Sequence, residues 1–115
     1  VLFAMAAAAE ANDIDAVCSH ISHRDPQVEK DARRMLGLVT LERVDIKRIH
    51  DLEVKPDGKP PHAKARIRAL AIGGDKLGTV KNQRFVRDFE IYFVQEAGQW
   101  KMRHYENLEL REMGF

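Results

Sequence analysis

The sequence predicts an α+β fold, with three N-terminal helices packed on a strongly bent antiparallel sheet of about four strands. Three observations predict it. Apolar residues recur at helical spacing through the first third of the chain, and at Arg43 the period changes to two. Turn-forming stretches rich in Gly, Pro, Asp and Asn punctuate the second part, as hairpin-joined strands require. A chain of 115 residues can bury one core without staples, so residues 1–115 read as a single domain.

The elements follow in order. Residues 1 to 11 are Ala-rich, and Ala is the best helix former; Leu2, Phe3, Met5 and Ala6 supply a face. Asn12 or Asp13 breaks this helix and caps the next. Ile14, Val17, Cys18 and Ile21 then form a stripe at i, i+3, i+4, i+7. Asp25 is a natural N-cap with Pro26 at the first helical position. Val28, Ala32, Met35, Leu36 and Val39 form the third stripe, and Gly37 weakens its last turn by about 1 kcal/mol relative to Ala.

From Arg43 onward, Val44, Ile46, Leu52 and Val54 share one strand face. Lys55 to Pro61 (KPDGKPP) is a turn-rich loop. Ala63, Ala65, Ile67, Ala69 and Ala71 alternate with His62, Lys64, Arg66, Arg68 and Leu70. Gly73 to Asn82 reads as a polar connection. Phe85, Phe89, Ile91 and Phe93 mark a long strand. Glu96-Ala97-Gly98-Gln99 is a hairpin turn, and a final strand runs to about Leu110.

The element order resembles the nuclear-transport-factor-like superfamily, which includes ketosteroid isomerase, SnoaL-type polyketide cyclases and scytalone dehydratase. The residues that carry the resemblance are the helix break "NDIDAV" and the closing hairpin "EIYFVQEAGQWKM". It covers essentially the whole chain. It implies a cystatin-like cone: a bent sheet wrapped round a helix, with a pocket at the open end. It also implies a homodimer through the outer sheet face. The catalytic Asp of the isomerases and the His pair of the dehydratases match no position here, so no residue role carries over.

Charge excludes several partners. Nineteen Lys+Arg against eighteen Asp+Glu leave a net charge of +1, which is no electrostatic footprint for nucleic acid. His62, Lys64, Arg66 and Arg68 form a basic strip, with Tyr92 and Tyr105 expected on the same outer face. Cross-strand pairing with Asp88 and Glu90 cancels it. No apolar run approaches the roughly 18 residues of a membrane span. The chain opens at Val1 without a methionine, so upstream residues are expected to have been removed. The single Cys18 forbids an internal disulfide and suits a reducing, cytoplasmic setting; the compartment stays open.

No phosphate loop, glycine fingerprint or catalytic-serine elbow occurs, and no cofactor is expected. Cys18, His20 and His23 do not form a metal site. On one helix His23 lies about 140° and His20 about 160° from Cys18, so they cannot converge.

Chemistry is sought where polar residues interrupt an apolar strand face. A two-residue turn at Ala97-Gly98 pairs Phe93 with Met102, Ile91 with His104 and Phe89 with Glu106. Paired residues share a face, so His104 and Glu106 are expected inside, with Arg87 diagonal to Glu106. Arg48 and His50 fall between Ile46 and Leu52 on the same side. Arg48, His50, Arg87, His104 and Glu106 are therefore the ligand-pocket candidates. A strand bulge would turn any later residue outward. Three functions follow from this reading: a small-molecule-binding or accessory domain, an isomerase, dehydratase or cyclase using Glu106 or His104, and a protein-interaction or dimerisation module.

Overall fold

The computed structural model describes residues 1–108. Three helices, α1 (Leu2–Glu10), α2 (Ile14–Cys18) and α3 (Pro26–Leu38), precede four strands. These are β1 (Val39–Lys55), β2 (His62–Asp75), β3 (Gln83–Glu96) and β4 (Gln99–Asn107). The strands form one antiparallel meander in the order β1-β2-β3-β4. The expected α+β class and element order are both present. The expected strand end at Leu110 lies outside the described residues.

Local chemistry sets the boundaries. Asp13 accepts the Ala16 amide at 3.1 Å, and Asp25 accepts the Gln27 amide at 3.0 Å with Pro26 opening α3. α2 is shorter than its stripe suggests. It stops at Cys18, and Ile21 leaves the helix to bridge Met102 in parallel. Val39 begins β1 rather than ending α3, so the sheet starts before Arg43. Gly73 and Gly74 belong to β2 and not to the connection, opposite Leu41 and Thr40. A β-carbon on Gly73 would collide with the Thr40 carbonyl oxygen, and one on Gly74 with that of Val80. The β3–β4 turn has φ of 51° at Ala97 and 77° at Gly98, as a type I′ hairpin demands.

The helices cover one face of the sheet. Ala63, Ala65 and Ile67 of β2, Ile91 and Phe93 of β3 and Met102 of β4 meet Cys18, Ile21 and Val28. Ile21 is fully buried and Cys18 is 2% exposed. The small alanines let the helices approach closely. These packed side chains form the core over the β2 half of the face.

Both edges of the sheet are covered by the breaks between helices. Asn12 has φ of 58°, a left-handed conformation that Asn tolerates well. Its side chain donates to the Leu41 carbonyl and accepts the Leu41 amide, both at 2.9 Å. That mimics one rung of a missing strand on β1. At the opposite edge, the Met102 amide donates to His20 O at 2.8 Å and the Ser22 amide to Met102 O at 2.7 Å. An uncovered strand edge invites pairing with other chains, and each break removes part of that liability.

Asn12→Ala deletes both bonds to Leu41 and places a β-carbon residue at positive φ. The expected loss is about 1–2 kcal/mol in urea unfolding. Asn12→Asp keeps the acceptor alone and is expected to lose roughly half as much.

Candidate functional site

Four of the five sequence-predicted site residues lie on the outer face, and bulges are the cause. In β4 the register runs Tyr92↔His104 and then Phe93↔Met102, so Arg103 is an extra residue. Past it every side chain changes face. His104 and Glu106 stand opposite Tyr92 and Glu90 on the outer side, while Tyr105 stands opposite Ile91 and Asn107 opposite Phe89 on the concave side. Tyr105, expected outside, is inside. In β1 the register runs Ile46↔Ala69 and then Arg48↔Arg68, which makes Lys47 extra. Arg48 and His50 therefore face outward beside Arg68 and Arg66, and Ile49 faces inward opposite Ile67. A second shift between His50 and Glu53 restores the parity, so Val54 is on the expected face opposite Ala63.

Arg87 alone of the five sits on the concave face, opposite Ala69. Its guanidinium lies 5.7 Å from the Phe85 ring centroid, within cation–π range. Phe89 follows on the same face and meets Tyr105 edge-on, with ring centroids 6.2 Å apart. Among the described residues, Arg87 and Tyr105 are the titratable side chains in register on the concave face of β3 and β4. Burial pushes the Tyr105 hydroxyl above its ordinary pKa, Asp31 of α3 adds to the rise, and Arg34 opposes it. The hydroxyl is thus neutral at pH 7 and can donate a hydrogen bond.

This end of the concave face is open. Phe85 is 41% exposed, and Met35, on the α3 stripe with Val28 and Ala32, is 58% exposed. The aromatic rings, one cation and one neutral hydroxyl make a surface suited to a flat ligand with a polar end. The signal for Arg87 was strand alternation, which held because β3 pairs with β2 without a shift. Tyr105 was missed because a bulge leaves no mark in side-chain pattern.

Other features suit a ligand less well. A groove of about 440 Å³ runs between α1 and β1, lined by Phe3, Ala6, Glu10, Asp45 and Lys47 among others. Its buried Asp45 Oδ2 takes no aligned hydrogen bond, but Arg43 Nε at 2.6 Å and Lys47 Nζ at 3.4 Å neutralise it. Cys18 is enclosed, and burial raises its thiol pKa, which leaves it inert. No helix among the described residues is long and apolar enough to cross a membrane.

The outer face is ordered by ion pairs. Arg68 grips Asp88 with two bonds at 2.8 and 3.1 Å. Arg66 Nε lies 3.3 Å from Glu90, which is 5% exposed and also accepts from the Tyr92 hydroxyl. His104 lies 3.7 Å from Glu106, and its ring tilts over Tyr92 with centroids 5.7 Å apart. Among the described residues, none of the large apolar side chains left exposed is in register on this face.

No protein-family model matches the chain, and no curated protein does. Solved structures match across most of its length. A proposed dehydratase of the NTF2-like family from Streptomyces avermitilis is 12% identical, with a TM-score of 0.57, 92% of this chain and 89% of that one covered. A proposed polyketide cyclase from Xanthomonas campestris is 16% identical, with a TM-score of 0.53 and 96% and 90% covered. A SEC-C motif containing protein from Rhodopseudomonas palustris is 11% identical, with a TM-score of 0.52 and 87% and 70% covered. At these identities the likeness shows the fold alone.

One pH dependence follows from the outer face. The hydrogen bonds from Arg68 hold the Asp88 carboxyl below the usual carboxylate range; partial burial pushes it up, and the charges of Arg68, His50 and Arg48 pull it further down. A depressed carboxyl pKa stabilises the fold above the unfolded value of about 3.9, and the gain is lost as pH falls through the folded value. Arg68→Gln is expected to move the Asp88 midpoint upward in a carbon-detected NMR titration. It is expected to cost less than about 1 kcal/mol at neutral pH, because the pair is largely exposed.

Proposed function

We propose that this chain, which has the nuclear-transport-factor-like fold, binds a small flat apolar molecule carrying an anionic or carbonyl oxygen. The ligand lies in the open end of the concave face. One observation carries the reading. The Arg103 bulge sets Tyr105 beside Phe89 on the face that already holds Arg87 and Phe85. Phe85, Phe89 and Tyr105 supply aromatic contact at low entropic cost. Arg87 holds the anionic or carbonyl end, and the neutral Tyr105 hydroxyl donates a second bond.

Binding is favoured over turnover for a chemical reason. An isomerase, dehydratase or cyclase needs a general acid or base within reach of its substrate. His104 and Glu106 point to the other side of the sheet, and the Asp31 carboxylate, whose charge reaches Tyr105, is engaged by Gln27 and Arg34 on its own helix. An arginine does not deprotonate, and the Tyr105 pKa is raised rather than lowered. The descriptions of the Streptomyces avermitilis and Xanthomonas campestris proteins as proposed dehydratase and polyketide cyclase support the small-molecule class.

Two naphthalene dyes test this site. Anilinonaphthalene sulfonate carries an anion, and phenylnaphthylamine is a neutral analogue. Arg87→Met is expected to weaken the sulfonate about tenfold and the neutral dye less than about twofold. Tyr105→Phe is expected to weaken the sulfonate a few-fold. Equal loss of both dyes on Arg87→Met would remove the polar contact, and absence of dye binding to the native chain would remove the site.

A further inference from the structure

We propose a second site, for a small phosphate-bearing anion, on the outer face where Arg48, His50, Arg66 and Arg68 converge. The Lys47 bulge creates this cluster. It sets Arg48 directly opposite Arg68, and His50 directly opposite Arg66. Directly opposed like charges destabilise a sheet, and Arg48 against Arg68 is such an opposition, compensated by Asp88 on the Arg68 side. The segment is held by a second shift between His50 and Glu53, with Asp51 at a left-handed φ of 54°. Such a conformation costs free energy in a residue other than glycine.

The nearby carboxylates already hold partners among the described residues. Asp88 accepts two bonds from Arg68, Glu90 is paired with Arg66, and Glu53 of β1 lies 3.9 Å from Lys64. His50 reaches only its chain neighbour Asp51, at 3.4 Å, among the described residues. Arg48 has no carboxylate within ion-pair distance among the described residues. The fields of Arg48 and His50 nevertheless reach Asp88, which places the charges around one spot. A phosphate group offers several acceptor oxygens and matches the forked donors of an arginine cluster.

The chemistry also limits the size of the ligand. The sheet face changes sign across the strands. Arg48 and His50 on β1 and Arg66 and Arg68 on β2 give way to Asp88 and Glu90 on β3 and Glu106 on β4. A long polyanion laid across the sheet meets those carboxylates, whereas one phosphate or pyrophosphate group stays on the basic half. A second copy of this chain is the less favoured occupant, because among the described residues no large exposed apolar side chain is in register here to be buried.

Calorimetric titration with inorganic phosphate, pyrophosphate and phenyl phosphate tests the proposal. One saturable site is expected, with phenyl phosphate distinguishing a phosphate ester from the free ion. Arg48→Gln is expected to weaken binding about tenfold. Its thermal midpoint is expected to be unchanged or higher, because a like-charge opposition is relieved. Lys64→Gln, on the same face but outside the cluster, is expected to change binding less than about twofold. Three results overturn the site. The first is no binding of any probe up to about 10 mM. The second is equal loss with Lys64→Gln, which means diffuse attraction. The third is a macromolecular occupant, seen either as a native dimer in light scattering that Arg48→Glu dissociates or as a single-stranded oligonucleotide that outcompetes pyrophosphate. Dye binding at the concave face is unaffected by Arg48→Gln, so the two sites fail separately.

Discussion

A pleated strand alternates its side chains between two faces, and an inserted residue reverses that alternation for everything beyond it. Nearly every functional feature of this molecule depends on where such insertions fall. Arg103 in β4 and Lys47 in β1 are the two decisive ones. The first exchanges His104 and Glu106 for Tyr105 and Asn107 on the concave face. The second turns Arg48 and His50 outward and brings Ile49 in. The inner strands β2 and β3 pair over twelve consecutive positions, from His62↔Val94 to Gly73↔Gln83, without a shift. The regular centre provides the core, and the irregular edges decide which polar side chains each face carries.

The bulges lie on the edge strands for a mechanical reason. An edge strand has a partner on one side only, so an unpaired residue there disrupts one ladder rather than two. The chain then covers the remaining edge with side-chain or short backbone rungs: Asn12 on Leu41, and residues 20–22 on Met102. The covering at Met102 lies next to the Arg103 bulge. Sheet edge, helix break and bulge are therefore coupled. A change in any one of them alters which side chains line the concave face.

Charge follows the same partition. The total of +1 conceals a concave face with little charge and an outer face with a great deal. On the outer face β2 is basic and β3 acidic, so Arg66 with Glu90 and Arg68 with Asp88 form rungs of opposite sign. Toward β1, Arg48 adds a positive charge that has no carboxylate within ion-pair distance among the described residues. On the concave face Arg87 stands beside Phe85 and opposite Ala69, two positions from Phe89 on the same strand face.

The sequence by itself determined the order of three helices and four strands, because helical and strand periods are local properties of side-chain spacing. It determined the caps at Asp13 and Asp25 and the Ala97-Gly98 turn, because each depends on residues a few positions apart. It located Arg87 on the concave face, because β3 pairs with β2 without a shift. It could not locate Arg48, His50, His104, Tyr105 or Glu106, because a bulge is set by how two distant strands and an edge segment fit together. No residue type at Lys47 or Arg103 encodes it. Only the tertiary structure decided which of these five polar residues face the concave side and which face outward, because that depends on how separate strands pair.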